Sequence, residues 1–330
     1  MAVSNGGVTQ WSGADLYRIS NYLYMSGPNS RLQRQEDGFN ALTHLSETLG
    51  TLVFVNGYNF TTVNDIPPGG GAGSDGSFGV NGYSGLLQIG QASDTNPTTF
   101  TVVGNLTNFD ASTKTLNGNY IIDGRGRTAT LRFSNANVQV LNNANLALYG
   151  DWHITDLNGN DAMGTLATVQ NGSQFSSPNG QTITPNGGTF LNDSSSHIIL
   201  NDAHVTINGN YHLTNNGQLT VSHPSSGSTT SNLYLGGALT ADHGAKMDMG
   251  GQPGVNTDYT GTVLTVQNGI VYSNSAALTG VGTRLRATLF YQWFSTSARR
   301  NGRRAHNAEC CEGEEHASQI RGGRGGCDYH

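Results

Sequence analysis

Strand signals in this chain are very short and recur at close intervals. Each has two apolar side chains two residues apart and ends in an Asn/Gly corner. Leu131 and Phe133 flank Arg132, Val138 and Val140 flank Gln139, and Leu146 and Leu148 flank Ala147. Val205 and Ile207 flank Thr206, and Leu219 and Val221 flank Thr220. Side chains two apart on a strand point to one face. The corners that follow, such as Asn142-Asn143, Asn208-Gly209-Asn210 and Asn215-Asn216-Gly217, are built of residues that tolerate left-handed backbone.

Such strands are too short, and their corners too frequent, for an antiparallel sandwich with hairpin turns. They suit a parallel β-helix, in which each short strand stacks on the one below and each turn needs only a few inward apolar side chains. Composition agrees. Apolar residues make up 35% and charged residues 12%, against about 45–50% and about 25% in ordinary globular domains. Low charge with recurrent Val, Ile, Leu and Thr also argues against a disordered chain. The expected fold is all-β, a parallel β-solenoid.

A longer repeat supports this. Asp37-Gly38-Phe39-Asn40-Ala41-Leu42, with Leu45 beyond, aligns with Asn158-Gly159-Asn160-Asp161-Ala162-Met163, with Leu166 beyond, at an offset of 121. Gly85-Leu86-Leu87-Gln88-Ile89 resembles Gly217-Gln218-Leu219-Thr220-Val221 at a longer offset, near 131. These marks divide the chain into a leading or capping segment over 1–36, a solenoid over 37–283, and a tail over 284–330. The Pro/Gly-rich stretch 66–85 is expected to bulge from the solenoid as a loop. The tail holds eight of the sixteen Lys and Arg and all three cysteines, Cys310, Cys311 and Cys327. It reads as a non-solenoid segment, disordered or translated out of frame.

The succession from Asp37 to Phe60, then Gly104-Asn105-Leu106-Thr107-Asn108-Phe109, Thr115–Tyr120, Leu131–Val138 and Leu146–Gly150, resembles the β-strand-repeat surface proteins of bacteria. These are the filamentous-haemagglutinin-like and autotransporter-passenger-like adhesins. The resemblance covers 37–283 and is clearest over 37–150. It implies a right-handed, single-stranded parallel β-helix, secretion to the cell surface, and a role in adhesion or as a stalk. It carries over no catalytic residue.

The formal charge of −6 is mild, and most of the length has no basic patch for nucleic acid. No run of about 18 apolar residues is present to span a membrane. The first 25 residues show no basic n-region followed by an apolar h-region, so the chain reads as a piece of a longer exported protein.

The β-helix also hosts pectin lyases and hydrolases, which group Asp side chains on one outer face with a basic residue beside them. Asp110, Asp123, Arg125, Arg127, Asp151 and Asp156 are the candidates for that alternative, with Asp242-His243-Gly244 as a weaker one. Solvated turn residues are the plainer reading. His197, His204, His212, His223 and His243 would form a zinc site only if three converged, and no spacing enforces that. His204 alternates with Val205 and Ile207 and is expected to face outward. Asn-x-Ser/Thr at Asn59, Asn105, Asn171 and Asn192 is expected by chance in so Asn-rich a chain. In the tail, Arg299-Arg300-Asn301-Gly302-Arg303-Arg304 and the cysteines with His306, His316 and His330 lack the spacing of a nucleic-acid patch or a zinc site. The expectation is a non-enzymatic adhesive module with no cofactor and no metal. Its expected partners are surface glycans or host and neighbouring-cell components, with edge-to-edge self-association at an uncapped end.

Overall fold

The computed structural model describes residues 1–66, 73–82, 84–176, 178–193, 195–201, 203–214, 216–223, 231–242 and 245–251, and the backbone of five further strands between Thr262 and Tyr291. Among these there is no α-helix. The strands are mostly parallel and lie in large sheets that do not close into a barrel. The fold is all-β and has the form expected of a β-solenoid.

The recurrence is clearest in the second half. Thr189–Asn192, His197–Asn201 and His204–Ile207 follow one another, and then Asn210–Leu213, Gln218–His223 and Ser231–Leu235 stack on them in parallel. Leu239–Ala241, Lys246–Gly251 and Thr262–Val266 repeat the step. The chain visits three ladders in turn, and an isolated strand of three to five residues gains its hydrogen bonds and its buried face from the copy beneath it.

One ladder runs almost the whole length. Leu23 pairs with Leu52, Leu52 with Leu87, Leu87 with Tyr120 and Tyr120 with Leu146. Phe175, Ile198, Leu219 and Met247 continue the column. Every one of these side chains is buried. Burial of each contributes about 1.5–3 kcal/mol relative to exposure. Aromatic rings thicken the core of the first half: Phe100 meets Phe78 at 4.8 Å, Phe60 at 5.3 Å and Phe54 at 5.5 Å between centroids.

Parallel pairing starts at Ala2–Val3, which stacks on Tyr22–Ser26, and it continues past position 283. Arg284–Arg286 pairs with Val263–Thr265, and Leu289–Tyr291 with Ile270–Tyr272. The ladders are therefore longer than the 37–283 span marked by the repeats. Of the stretch 66–85, residues 67–72 and 83 lie outside the described residues, as does the tail from 292. The rest does not all bulge: Gly79–Val80 pairs in parallel with Glu47–Thr48, because Phe78 and Val80 bury their side chains in the core.

The 121-residue repeat has a common backbone form. Ala41 N donates to Leu32 O at 2.8 Å, and Ala162 N to Ile154 O at 2.9 Å. Leu16 N donates to Ala41 O, and Val138 N to Ala162 O, both at 2.7 Å. Asn40 Oδ1 accepts from Leu42 N at 3.0 Å, and Asp161 Oδ1 from Met163 N at 3.1 Å, so each copy opens on an Asx turn. Ala41, Leu42 and Leu45 are buried in one copy, and Ala162, Met163 and Leu166 in the other.

Two departures from simple alternation have local causes. Gln139 N and Val140 N both donate to Lys114 O, at 2.9 and 3.1 Å. This bulge flips the side-chain order, so Val138 and Leu141 are buried while Val140 is only half-buried. The long strands Thr115–Phe133 and Val140–Thr155 pair along two ladders, with a register shift between Gly124 and Ala129. At that corner Gly124 lies so close to the next turn that a Cβ would sit 2.1 Å from Asp151 O.

Candidate functional site

The corner around Gly124 gathers four of the residues picked from sequence. Asp123 is 3% exposed, although its place in the strand faces away from the core. Arg125 Nε and Nη2 donate to its two carboxylate oxygens at 2.9 and 2.7 Å, and Arg125 N adds a third bond at 3.1 Å. The guanidinium lies over the Tyr149 ring, 4.7 Å from its centroid. Arg127 Nε donates to Thr95 O at 3.2 Å. Asp151 is exposed, accepts from Thr128 Oγ1, and lies 3.1 Å from His153 Nε2.

Asp94 completes this corner, and nothing in its sequence context marks it. It is 5% exposed. One oxygen accepts from Gln91 N at 3.2 Å, and the other has no partner. Burial pushes its pKa up, and Asp123 adds to the effect. The loop that carries it is tied back by Gln91 Nε2 to Tyr24 Oη at 3.3 Å, and by Thr95 N and Oγ1 to Asn56 Oδ1 at 3.0 and 2.9 Å.

The remaining acidic candidates hold turns. Asp110 Oδ1 accepts from Ser112 Oγ at 2.6 Å, Ser112 N at 2.8 Å and Thr113 N at 3.3 Å. The Ser112 hydroxyl and these amides lower its pKa to about 2. Asp156 accepts from the amides of Asn158 and Asn160 and from Asn160 Nδ2, each at 2.8 Å, and the Asn160 side chain is the main cause of its lowered pKa. A lyase or hydrolase needs a proton-transfer group within reach of its substrate. Here the two carboxylates that feel one another, Asp94 and Asp123, are sealed from solvent, and one is clasped by arginine. Of the Asp242-His243-Gly244 triplet, His243 and Gly244 lie outside the described residues.

The histidines separate onto three ladders. His197 Nε2 is 2.8 Å from Thr220 Oγ1, His204 Nδ1 is 2.8 Å from Asn232 Nδ2, and His212 Nε2 is 2.6 Å from Asp242 Oδ2. Each pairs with the turn that stacks on it. His204 is exposed and faces outward, as its alternation predicts. The side chains of His223 and His243 are not among those described. Among the described residues no group of three or more His, Cys, Asp or Glu could hold a metal ion.

Several other outward positions also pair with the neighbouring turn. Asn171 Nδ2 donates to Asn142 Oδ1 at 2.5 Å, Thr99 N to Asn59 Oδ1 at 2.7 Å, and Thr165 Oγ1 to Asn137 Oδ1 at 2.8 Å. Asn192 is instead fully buried between Val169 and Leu213, donating to Tyr211 Oη at 3.1 Å and Gln218 O at 2.8 Å. Inside the second half, an apolar gap of about 10 Å³ lies among Phe175, Phe190, Ile198 and Leu219, at the lower limit for one water. No helix of the described residues is long and apolar enough to cross a membrane. No protein-family model, curated protein or solved structure matches the chain.

Proposed function

We propose that the chain is a non-catalytic structural and adhesive module of a secreted or cell-surface bacterial repeat protein. It is wound as a right-handed, single-stranded parallel β-helix. Its outer faces are offered to surface glycans or to components of host and neighbouring cells. The handedness rests on the strong right-handed preference of parallel crossovers, about 98%.

The observation that supports this reading best is the state of the outer side chains. Asn, Thr and His at stacked positions bond to the next turn, as in Asn142–Asn171, His197–Thr220 and His204–Asn232. A face so ordered presents hydroxyl and amide groups at the strand spacing of about 4.8 Å, a repeat suited to an extended polar ligand. Low charge leaves hydrogen bonding and stacking to do the recognition.

Binding of the full chain to arrays of bacterial and host glycans and to matrix proteins tests the proposal. Retention of at least one such class, with no cleavage of pectins in the presence of calcium, is the expected result. Pectin cleavage that disappears in Asp123→Asn or Asp151→Asn would overturn it in favour of a carbohydrate-active enzyme.

A further inference from the structure

His44 lies between two carboxylates brought from neighbouring turns. Its Nδ1 is 2.5 Å from Asp15 Oδ2, and its Nε2 is 2.8 Å from Asp65 Oδ2. Asp15 and Asp65 stand 29 and 21 positions from His44, and the spacing of stacked turns brings all three together. A neutral imidazole carries one N–H and one bare lone pair. Two carboxylate oxygens at hydrogen-bond distance from both nitrogens therefore require the imidazolium. The Tyr17 ring lies parallel to it at 5.8 Å, a placement that favours a cation.

We propose that protonated His44 is an acid-closed clamp that ties the first turns of the stack together through Asp15 and Asp65 and lets go of Asp65 when it loses its proton. The two arms are unequal. Asp15 is 10% exposed and keeps a second cation, Arg34, whose Nη1 donates to it at 3.0 Å. Arg34 is itself shared with Asp37. Asp65 is 41% exposed, and beyond His44 its carboxylate accepts from the Ser74 amide, 2.8 Å from Oδ1. The other charges near the clamp are Glu36 beside Arg34 and Asp75, which bridges to Asn64. A metal ion does not fit this arrangement, since the two carboxylates approach opposite nitrogens of the ring.

The second copy of the 121-residue repeat serves as an internal control. Its equivalent contact is Thr165 Oγ1 to Asn137 Oδ1 at 2.8 Å, the same cross-turn bond made by groups that do not titrate. The backbone motif thus forms without an ion pair, and the His–Asp version adds sensitivity to pH.

The sign follows from the partners. Bonding to Asp65, then to Asp15, raises the His44 pKa above 6.5. The clamp's contribution is fully present below 6.5 and is lost as pH rises through the higher folded value. At the acid end it persists until Asp65 is protonated, and the Ser74 amide and His44 hold that carboxyl below 3.8.

Imidazole NMR of the full chain tests this, with His44 assigned by the signal missing from His44→Gln. The expected result is a His44 midpoint above 6.5, both ring nitrogens protonated at pH 5.5, and a midpoint that falls in Asp65→Asn. In parallel, raising pH from 6 to 8.5 should lower the Tm of the parent relative to His44→Gln. A His44 midpoint at or below 6.5, or one unmoved by Asp65→Asn, overturns the proposal. If His44→Gln fails to fold, His44→Asn supplies the assignment, and the parent and Asp65→Asn titrations decide the matter.

Discussion

Arg125 holds both oxygens of Asp123, at 2.9 and 2.7 Å, over a carboxylate that has almost no contact with water. The guanidinium is about half exposed, so solvent screens part of the pair, and its worth is below that of a fully buried bridge. Arg125→Ala strands the Asp123 carboxylate and is expected to cost about 1–3 kcal/mol in urea unfolding. Adding Asp123→Asn should recover part of that loss. A double variant no better than Arg125→Ala alone would show that the arginine stem over Tyr149, and not the ion pair, carries the effect.

Gly124 tests the corner itself. Any side chain there meets Asp151 backbone, with O at 2.1 Å and C at 2.3 Å, and backbone cannot step aside cheaply. Gly124→Ala should destabilise by about 1–3 kcal/mol or more. Denaturant midpoints compared with Gly172→Ala, where no atom lies within 4 Å, separate crowding from glycine's left-handed backbone.

Phe100 is the centre of the aromatic cluster and is fully buried. Phe100→Ala removes contacts to Phe54, Phe60 and Phe78 together and should cost about 3–5 kcal/mol. Each turn of a stack touches mainly its neighbours, so the first half should lose hydrogen-exchange protection before strands such as His197–Asn201. Uniform loss of protection along the chain would count against this division.

Two aspartates should act oppositely on acid stability. Asp110 sits at about 2 in the folded chain against 3.8 unfolded. Its contribution is present above 3.8 and is lost as pH falls through about 2. Burial raises Asp94 above 3.8, so the folded state gains stability as pH falls through the folded value toward 3.8. Thermal melts from pH 7 to pH 2 should show Asp110→Ala with a shallower acid decline than the parent, and Asp94→Asn without the gain. An unchanged acid limb in Asp110→Ala would remove that turn from the account.

The pairing of apolar residues two apart was legible in Leu146 and Leu148, in Val205 and Ile207, and in Leu219 and Val221, all of which are buried. It failed at Val140, because the bulge at Gln139 arises from Lys114 O accepting two amides, a contact that no local pattern announces. The repeat at Asp37 and Asn158 was legible as well, since the same Asx turn and the same buried residues recur. Among the acidic candidates, sequence brought forward Asp123 and Arg125, but not Asp94 or the His44 group. His44 meets Asp65 and Asp15 across 21 and 29 positions, and Asp94 meets Asp123 across 29, so their meeting depends on how many residues each turn uses.

Sequence by itself determined the class of this protein. Short alternating strands closed by Asn and Gly leave few ways to bury apolar side chains other than stacking parallel turns. Tertiary structure alone decided which polar residues meet. Stacked partners are 21 positions apart at Ile198 and Leu219 but 35 apart at Leu52 and Leu87. Corner loops absorb that variation without disturbing the apolar column, and so the loops, not the strand pattern, set Asp94 beside Asp123 and His44 between Asp15 and Asp65.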